Sequence, residues 1–155
     1  MKPDSSTKET LGLFDPNSAA REDAGIFGLS FSIENAKLVL LPVTWDATTS
    51  YGSGAAFAPD AILQASKQVD LFDSVMGHFY QAGIIMLDHK EKIKELNKKT
   101  KALLSNSKDK RDSAQQQAII DMVNTASIKM NDYVYTETKT LLAQDKIVGV
   151  VGGDH

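Results

Sequence analysis

Residues 36–46 read AKLVLLPVTWD, and this stretch decides the fold class. It is a dense run of β-branched and aliphatic residues between more polar segments, which is typical of a strand covered on both faces. Strands of that kind lie in the interior of parallel sheets. The stretch therefore predicts an interior, parallel strand, and the rest of the chain is read outward from it.

A turn rich in glycine and serine, residues 47–58, follows this strand, and Pro59 comes directly after the turn. Proline suits the first position of a helix because its φ is fixed and its nitrogen carries no hydrogen. We expect a helix from about Pro59 to Phe72. One face of that helix should pack on the sheet; its residues are Ile62, Ala65, Val69 and Phe72.

Strands and helices continue to alternate toward the end of the chain. Residues 83–88 (GIIMLD) and 146–151 (KIVGVV) predict two more buried strands. Between them we expect a helix over 91–104, a surface loop over 105–113 and a long helix over 114–144. The expected buried stripes are Ile93, Leu96 and Leu103 in the first helix, and Ile119, Met122, Ala126, Met130, Tyr133 and Leu141 in the second. The lysines of the first helix are interpreted as its solvated face.

This alternation predicts an α/β fold with a parallel sheet and right-handed crossovers. In such sheets, ligands bind beyond the carboxyl ends of the strands. Asp46, Asp88 and His155 each follow a predicted strand at that end. They are therefore the first candidates for a site.

The segment VVGGDH, residues 150–155, combines a flexible turn with two groups that can serve a metal ion. Gly152 and Gly153 have no Cβ and allow close approach of the backbone. A neutral imidazole such as that of His155 is a good ligand for a divalent metal, and Asp154 adds negative charge as a ligand or as the hydrogen-bond partner of one. Two groups are too few for a complete site.

The turn after the first strand contains Gly52-x-Gly54 ahead of a helix, which invites comparison with the dinucleotide fingerprint G-x-G-x-x-G. Phe57 stands where the third glycine belongs, and Gly52 lies six residues beyond Asp46 instead of directly after the strand. These departures favour a long loop over the sheet edge. A small nucleotide-binding α/β module stays open as an alternative.

Composition limits the classes of partner and compartment. The 155 residues suit one domain or part of one. With 17 Lys and Arg against 20 Asp and Glu, the net charge is -3, which favours neither nucleic acid nor an anionic membrane as partner. The polar residues 1–10 do not resemble a secretion signal. The absence of cysteine excludes disulfides and thiolate ligands and fits a cytoplasmic protein.

Together, residues 46–62 (DATTSYGSGAAFAPDAI) and VVGGDH resemble the arginase, agmatinase and formimidoylglutamase family, the manganese ureohydrolases. The resemblance covers residues 36–72 and 147–155. The positions that match the family motifs are Ser50, Tyr51, Gly54, Pro59 and Ile62 in the first segment, and Gly152, Gly153, Asp154 and His155 in the second.

The resemblance implies a three-layer α/β/α fold with a mainly parallel sheet, incomplete in this chain. Residues 1–35 would be a partly irregular N-terminal segment, and residues 36–155 the N-terminal portion of a single arginase-like domain. It also implies that His155 binds one of two manganese (Mn2+) ions, that Asp154 orients or tunes that imidazole, and that the protein forms homo-oligomers.

The chain departs from the family in lacking the Asp-x-His-x-Asp and Asp-x-Asp motifs that supply the other metal ligands. We therefore expect the N-terminal part of a ureohydrolase, inactive alone, with an unpaired sheet edge that favours self-association. A non-catalytic pseudo-enzyme is the remaining alternative. The sequence that follows His155 in the reading frame would distinguish these hypotheses.

The activity that the resemblance implies is hydrolysis of a guanidino or formimino C–N bond, releasing urea or formamide, by water activated between two metal ions. Arginine, agmatine and formimidoylglutamate all remain possible substrates. Residues 46–62 resemble the agmatinase branch more than the classical arginases, which favours an agmatinase-like substrate.

Overall fold

A computed structural model describes residue 14 and residues 18–105 and 113–154. Its sheet has three parallel strands: β1, Leu38–Pro42; β2, Ile84–Met86; and β3, Ile147–Val151. The strand order is β2-β1-β3, so the strand predicted as interior lies at the centre. Its helices are α1, Ala58–Ser66; α2, Glu91–Ser105; and α3, Ser113–Ala143. The predicted α/β class with a parallel sheet is confirmed.

Two groups of buried side chains enclose the central strand and its continuation. The first joins the segment before β1 to β2, and its buried members are Ile26, Leu29, Phe31, Ala36, Leu71, Tyr80 and Ile84. The second joins the residues after β1 to α2 and α3, and its members are Val43, Trp45, Ala47, Ile93, Ala126 and Met130. Because the second group surrounds the carboxyl end of β1, it fixes the edge where the candidate residues lie.

The prediction that β3 is a buried strand is wrong within the described residues. Ile147 and Val150 are 57% and 54% exposed. The reason is that β3 pairs with β1 along one side only, from Leu38 opposite Ile147 to Pro42 opposite Val151. An apolar sequence identifies a strand suited to burial, but burial also needs a neighbour on the other side.

The predicted orientation of α1 is also wrong. The helix ends at Ser66 instead of Phe72, and all four residues predicted to face the sheet are exposed, namely Ile62, Ala65, Val69 and Phe72. Pro59 and Ser66 are buried instead, and Leu63 packs against the first core group. The Ser66 hydroxyl accepts a 2.9 Å hydrogen bond from the amide of Phe27, so α1 is aligned on the turn Ile26–Gly28.

The bounds of α2 and α3 agree closely with the predictions, while parts of their buried stripes differ. Leu103 and Met122 are 36% and 53% exposed, and Val123 is buried in place of Met122. In α2 the polar residues Asn97 and Thr100 are buried beside Ile93.

Most of the loop predicted over 105–113 lies outside the described residues. Over the parts of the chain that the structure describes, no helix is long and apolar enough to cross a bilayer.

Candidate functional site

The two motif segments meet at the carboxyl edge of the sheet. The amide of Asp154 donates a 2.8 Å hydrogen bond to the carbonyl of Trp45, and the amide of Gly153 donates one of 3.3 Å to the carbonyl of Ala55. The turn after β3 is therefore hydrogen-bonded to both ends of the loop that follows β1. This contact is what the parallel alignment of the strands predicts, since their carboxyl ends lie together.

The glycines of this turn are required by its geometry. Gly152 and Gly153 have φ values of +77° and +83°, which glycine adopts without strain. A Cβ on Gly152 would lie 2.6 Å from Cδ of Pro59, and one on Gly153 would lie 3.0 Å from the carbonyl oxygen of Val43. The turn can therefore lie against β1 and the start of α1 only because both side chains are absent.

Asp46, one of the three residues predicted at this edge, is buried, and its carboxylate accepts several hydrogen bonds. Its carboxylate accepts from the Gly54 amide at 2.7 Å, from Asn97 Nδ2 at 2.9 Å and from Lys101 Nζ at 2.9 and 3.1 Å. Burial alone would raise the pKa of Asp46, but the bonds from Asn97, Lys101 and Gly54 outweigh it and hold that pKa below its usual value. Asp46 is thus an ionised anchor for the loop.

Sequence reasoning missed Asn97 and Lys101. The spacing of α2 predicts a solvated face for its lysines, yet Lys101 forms an ion pair with the buried Asp46 carboxylate, and the Lys101 side chain is 37% exposed. Asn97 and Lys101 are four residues apart on the helix, so they share one face. An asparagine in the predicted core face of a helix was the signal that could have indicated a buried polar partner.

The middle of the loop projects away from this anchor. Tyr51 is 99% exposed, and Ser50, Gly52 and Ser53 are exposed with it. Gly54, at the base of the loop, has a φ of +136°, and its amide donates a hydrogen bond to the Asp46 carboxylate. The motif positions Ser50, Tyr51 and Gly54 therefore divide between an accessible tip and an anchored base.

The described residues do not by themselves form a manganese site. Asp154 is partly buried at the edge, and His155, the predicted ligand, lies outside the described residues. In the described part of the chain, no three His, Cys, Asp or Glu side chains converge to hold a metal ion. The anchored Asp46 carboxylate is engaged by Gly54, Asn97 and Lys101, so it does not replace the missing ligands.

The remaining predicted or isolated candidates lie apart from the turn. Asp88 follows β2 and is exposed, with β1 between its strand and β3. His89 lies 3.5 Å from the Asp60 carboxylate. His78 contacts the Tyr80 hydroxyl at 3.3 Å. Both contacts are with side chains outside the GGDH turn.

An apolar groove of about 730 Å³ extends from the turn along α3 and β3. Its apolar lining comprises Val43, Met130, Val134, Leu142 and Val150, and Gly152 to Asp154 form one end. Beside it, the side of β3 away from β1 has no strand partner among the described residues. The amide of Ile147 and the carbonyl of Val151 form hydrogen bonds with the backbone at the two ends of β1. The backbone groups of these two residues therefore face β1. Because backbone groups alternate in direction along a strand, the amides and carbonyls of Val148 and Val150 point away from β1.

Comparison with known proteins agrees with this geometry. The model of the arginase family matches residues 36–155. An N(1)-aminopropylagmatine ureohydrolase from Synechocystis sp. is 39% identical over 46 residues, which are 30% of this chain and 15% of that relative's length. No solved structure gives a significant match. The family match extends from the start of the strand segment through the GGDH turn, so both motif segments fall inside it. The chain belongs to the arginase family.

Proposed function

We propose that this chain forms the N-terminal part of a manganese-dependent ureohydrolase that hydrolyses the C–N bond of a guanidino or formimino compound. The observation that carries the proposal is the hydrogen bond from Asp154 to Trp45. It brings the GGDH turn against the loop that bears Ser50, Tyr51 and Gly54. Asp154, which directly precedes the proposed ligand His155 in sequence, and an accessible loop thus meet at one sheet edge, which is where α/β proteins bind ligands.

In this proposal the chain contributes His155 as a manganese ligand and Asp154 as the group that orients it. The described residues supply too few ligands for a metal centre. The proposal therefore takes the remaining ligands from further residues of the protein, outside the described part of the chain. The apolar groove and the side of β3 that has no strand partner among the described residues support the same view, because they are surfaces that a completed domain would cover.

A substituted guanidino amine is the proposed substrate class, and agmatine is the first compound to test. The loop segment favours the agmatinase branch, and the Synechocystis relative is named for an aminopropyl derivative of agmatine. Tyr51 offers an accessible aromatic surface at the tip of the loop whose ends are bonded to the turn. Arginine and formimidoylglutamate are the comparison substrates.

The loop geometry gives no support to the nucleotide-binding alternative. A phosphate-binding loop presents free amides at a helix N-terminus. Here the Gly54 amide is occupied by the Asp46 carboxylate, and the Phe57 amide donates to the Gly54 carbonyl. A homo-oligomeric assembly and a cytoplasmic location stay predictions.

The test compares two proteins: residues 1–155 and the product of the complete reading frame that contains them. Each is stripped of metal, supplied with Mn2+ and assayed for urea with agmatine and arginine, and for formamide with formimidoylglutamate. We expect activity only from the complete product, and only with metal. His155→Ala should abolish activity in that product, while His89→Ala, a control outside the motif, should retain it.

Two results would contradict the proposal. Manganese-dependent release of urea or formamide by residues 1–155 alone would show that no further ligands are needed. A complete product that binds Mn2+ but releases neither compound from any of the three substrates would favour the pseudo-enzyme.

A further inference from the structure

We infer that Asp46 is a positioning residue through which α2, by way of Asn97 and Lys101, fixes the conformation of the Gly152–Asp154 turn. The inference rests on the proposed function only in treating this turn as part of a catalytic site. The mechanical coupling itself follows from hydrogen bonds within the described residues.

The coupling begins with closure of the loop. The Asp46 carboxylate accepts the Gly54 amide at 2.7 Å, so the two ends of the loop are held together across eight positions. The hydroxyl of Thr49 donates to the Asp46 carbonyl at 3.1 Å and tightens the first turn of the same loop. One buried side chain thus determines where the loop begins and where it returns.

The turn after β3 is attached at the residues that flank this closure. Trp45, immediately before Asp46, accepts the Asp154 amide, and Ala55, immediately after Gly54, accepts the Gly153 amide. The separation of these two carbonyls is therefore set by the Asp46–Gly54 bond. If that bond opens, the two acceptors are free to move apart and the turn loses one of them. The longer bond, 3.3 Å from Gly153 to Ala55, should open first.

Helix α2 holds Asp46 from the other side. Asn97 bonds to Asp46 twice, its Oδ1 accepting the Asp46 amide and its Nδ2 donating to the carboxylate, both at 2.9 Å. Lys101 supplies the positive charge. A carboxylate buried without its counter-charge is unfavourable, so loss of Lys101 should drive the Asp46 side chain toward water. Because Gly54 is bonded to that side chain, the loop base would move with it.

Lys101→Met tests the inference, with Lys99→Met as the matched control. Lys99 lies on the same helix, but its side chain is 76% exposed, and its partner among the described residues is Glu95 at 3.8 Å. Both variants are made in the product of the complete reading frame, and amide hydrogen exchange is followed by mass spectrometry. We expect Lys101→Met to accelerate exchange at Gly54 and Gly153 about tenfold or more, because a buried charge-assisted bond is lost. Exchange in β1 and β2 should stay unchanged.

Lys101→Arg provides the rescue, since guanidinium restores the charge and should return exchange at the turn to the original rate. Three outcomes would overturn the inference: unchanged exchange at Gly153 in Lys101→Met, an equal increase in Lys99→Met, or a uniform increase across the sheet, which would indicate general destabilisation. Because exchange is measured without substrate, a failed inference remains distinguishable from a failed function, which the release of urea or formamide decides separately.

Discussion

Gly152 and Pro59 are in such close contact that a Cβ on the glycine would lie 2.6 Å from the proline Cδ and 2.7 Å from its Cγ. Non-bonded carbon atoms do not approach each other so closely, and the proline ring cannot rotate away as a flexible side chain would. The end of β3 and the start of α1 are thus fitted to each other through the absence of a side chain.

Gly152→Ala should therefore destabilise the fold by more than the strain of a positive φ alone. That strain costs about 1–3 kcal/mol, and displacement of Pro59 adds to it. Gly52→Ala is the matched control, because Gly52 has a similar φ of +68° but the described part of the chain places no atom within 4 Å of the added Cβ. Urea unfolding of both variants measures the difference. Equal losses of unfolding free energy would show that the contact with Pro59 has no effect.

Asp46→Asn should weaken the dependence of stability on pH. The pKa of Asp46 is lowered in the folded protein, so its contribution to stability is present above its usual pKa near 3.8 and is lost as pH falls through the folded value. The variant should be less stable than the natural protein at neutral pH, and the difference should narrow below about pH 4. Urea midpoints measured across this range test the prediction. Asp121→Asn, an exposed change on α3, serves as the control.

Ser66→Ala should destabilise the contact between α1 and the segment before β1. The hydroxyl accepts the amide of Phe27 at 2.9 Å and donates to the carbonyl of Leu63 at 2.7 Å, and Ser66 is buried. Its removal leaves the Phe27 amide without this acceptor, which costs about 1–3 kcal/mol. Ser105→Ala removes a similar hydroxyl bond, to Ala102, at an exposed position and should cost less than about 0.5 kcal/mol. Thermal unfolding of the two variants distinguishes them; equal shifts would contradict the role given to Ser66.

Tyr51→Ala should leave stability unchanged within about 0.5 kcal/mol, because the side chain is 99% exposed. Any loss of urea release by the complete protein would then reflect contact with substrate or with another subunit. Tyr80→Ala is the contrasting change, since Tyr80 is buried in the first core group. If Tyr51→Ala lowers the thermal midpoint as much as Tyr80→Ala does, the Tyr51 side chain is packed against other residues in the complete protein.

The order and type of the regular elements could be predicted from sequence because hydrophobic spacing encodes them directly. The central strand and the helices α2 and α3 are examples. The rotation of α1 about its axis could not be predicted from sequence, because it depends on the hydrogen bond between the Ser66 hydroxyl and the distant amide of Phe27. The prediction that β3 is buried was wrong for a similar reason, since the exposure of β3 depends on which elements lie beside it.

At the candidate site, spacing identified the glycine turn and the loop, and parallel strands implied that they meet. The partners of Asp46 were not predictable in the same way. Asn97 and Lys101 lie more than one element away in sequence, and a lysine on an amphipathic helix has the same pattern whether it meets water or a buried carboxylate. The assignments of His155 and of residues 1–35 and 36–155 stay predictions.

The order of strands also constrains the route by which the protein folds. Among the described strands β1 is synthesised first and lies at the centre, but its partner β3 follows only after both α2 and α3. Closing such a long chain segment is slow, because its entropy is lost before the pairing is gained. During synthesis β1 must therefore persist with its β3 side unpaired until β3 has emerged. In this interval the unpaired side of an apolar strand is open to pairing with other chains.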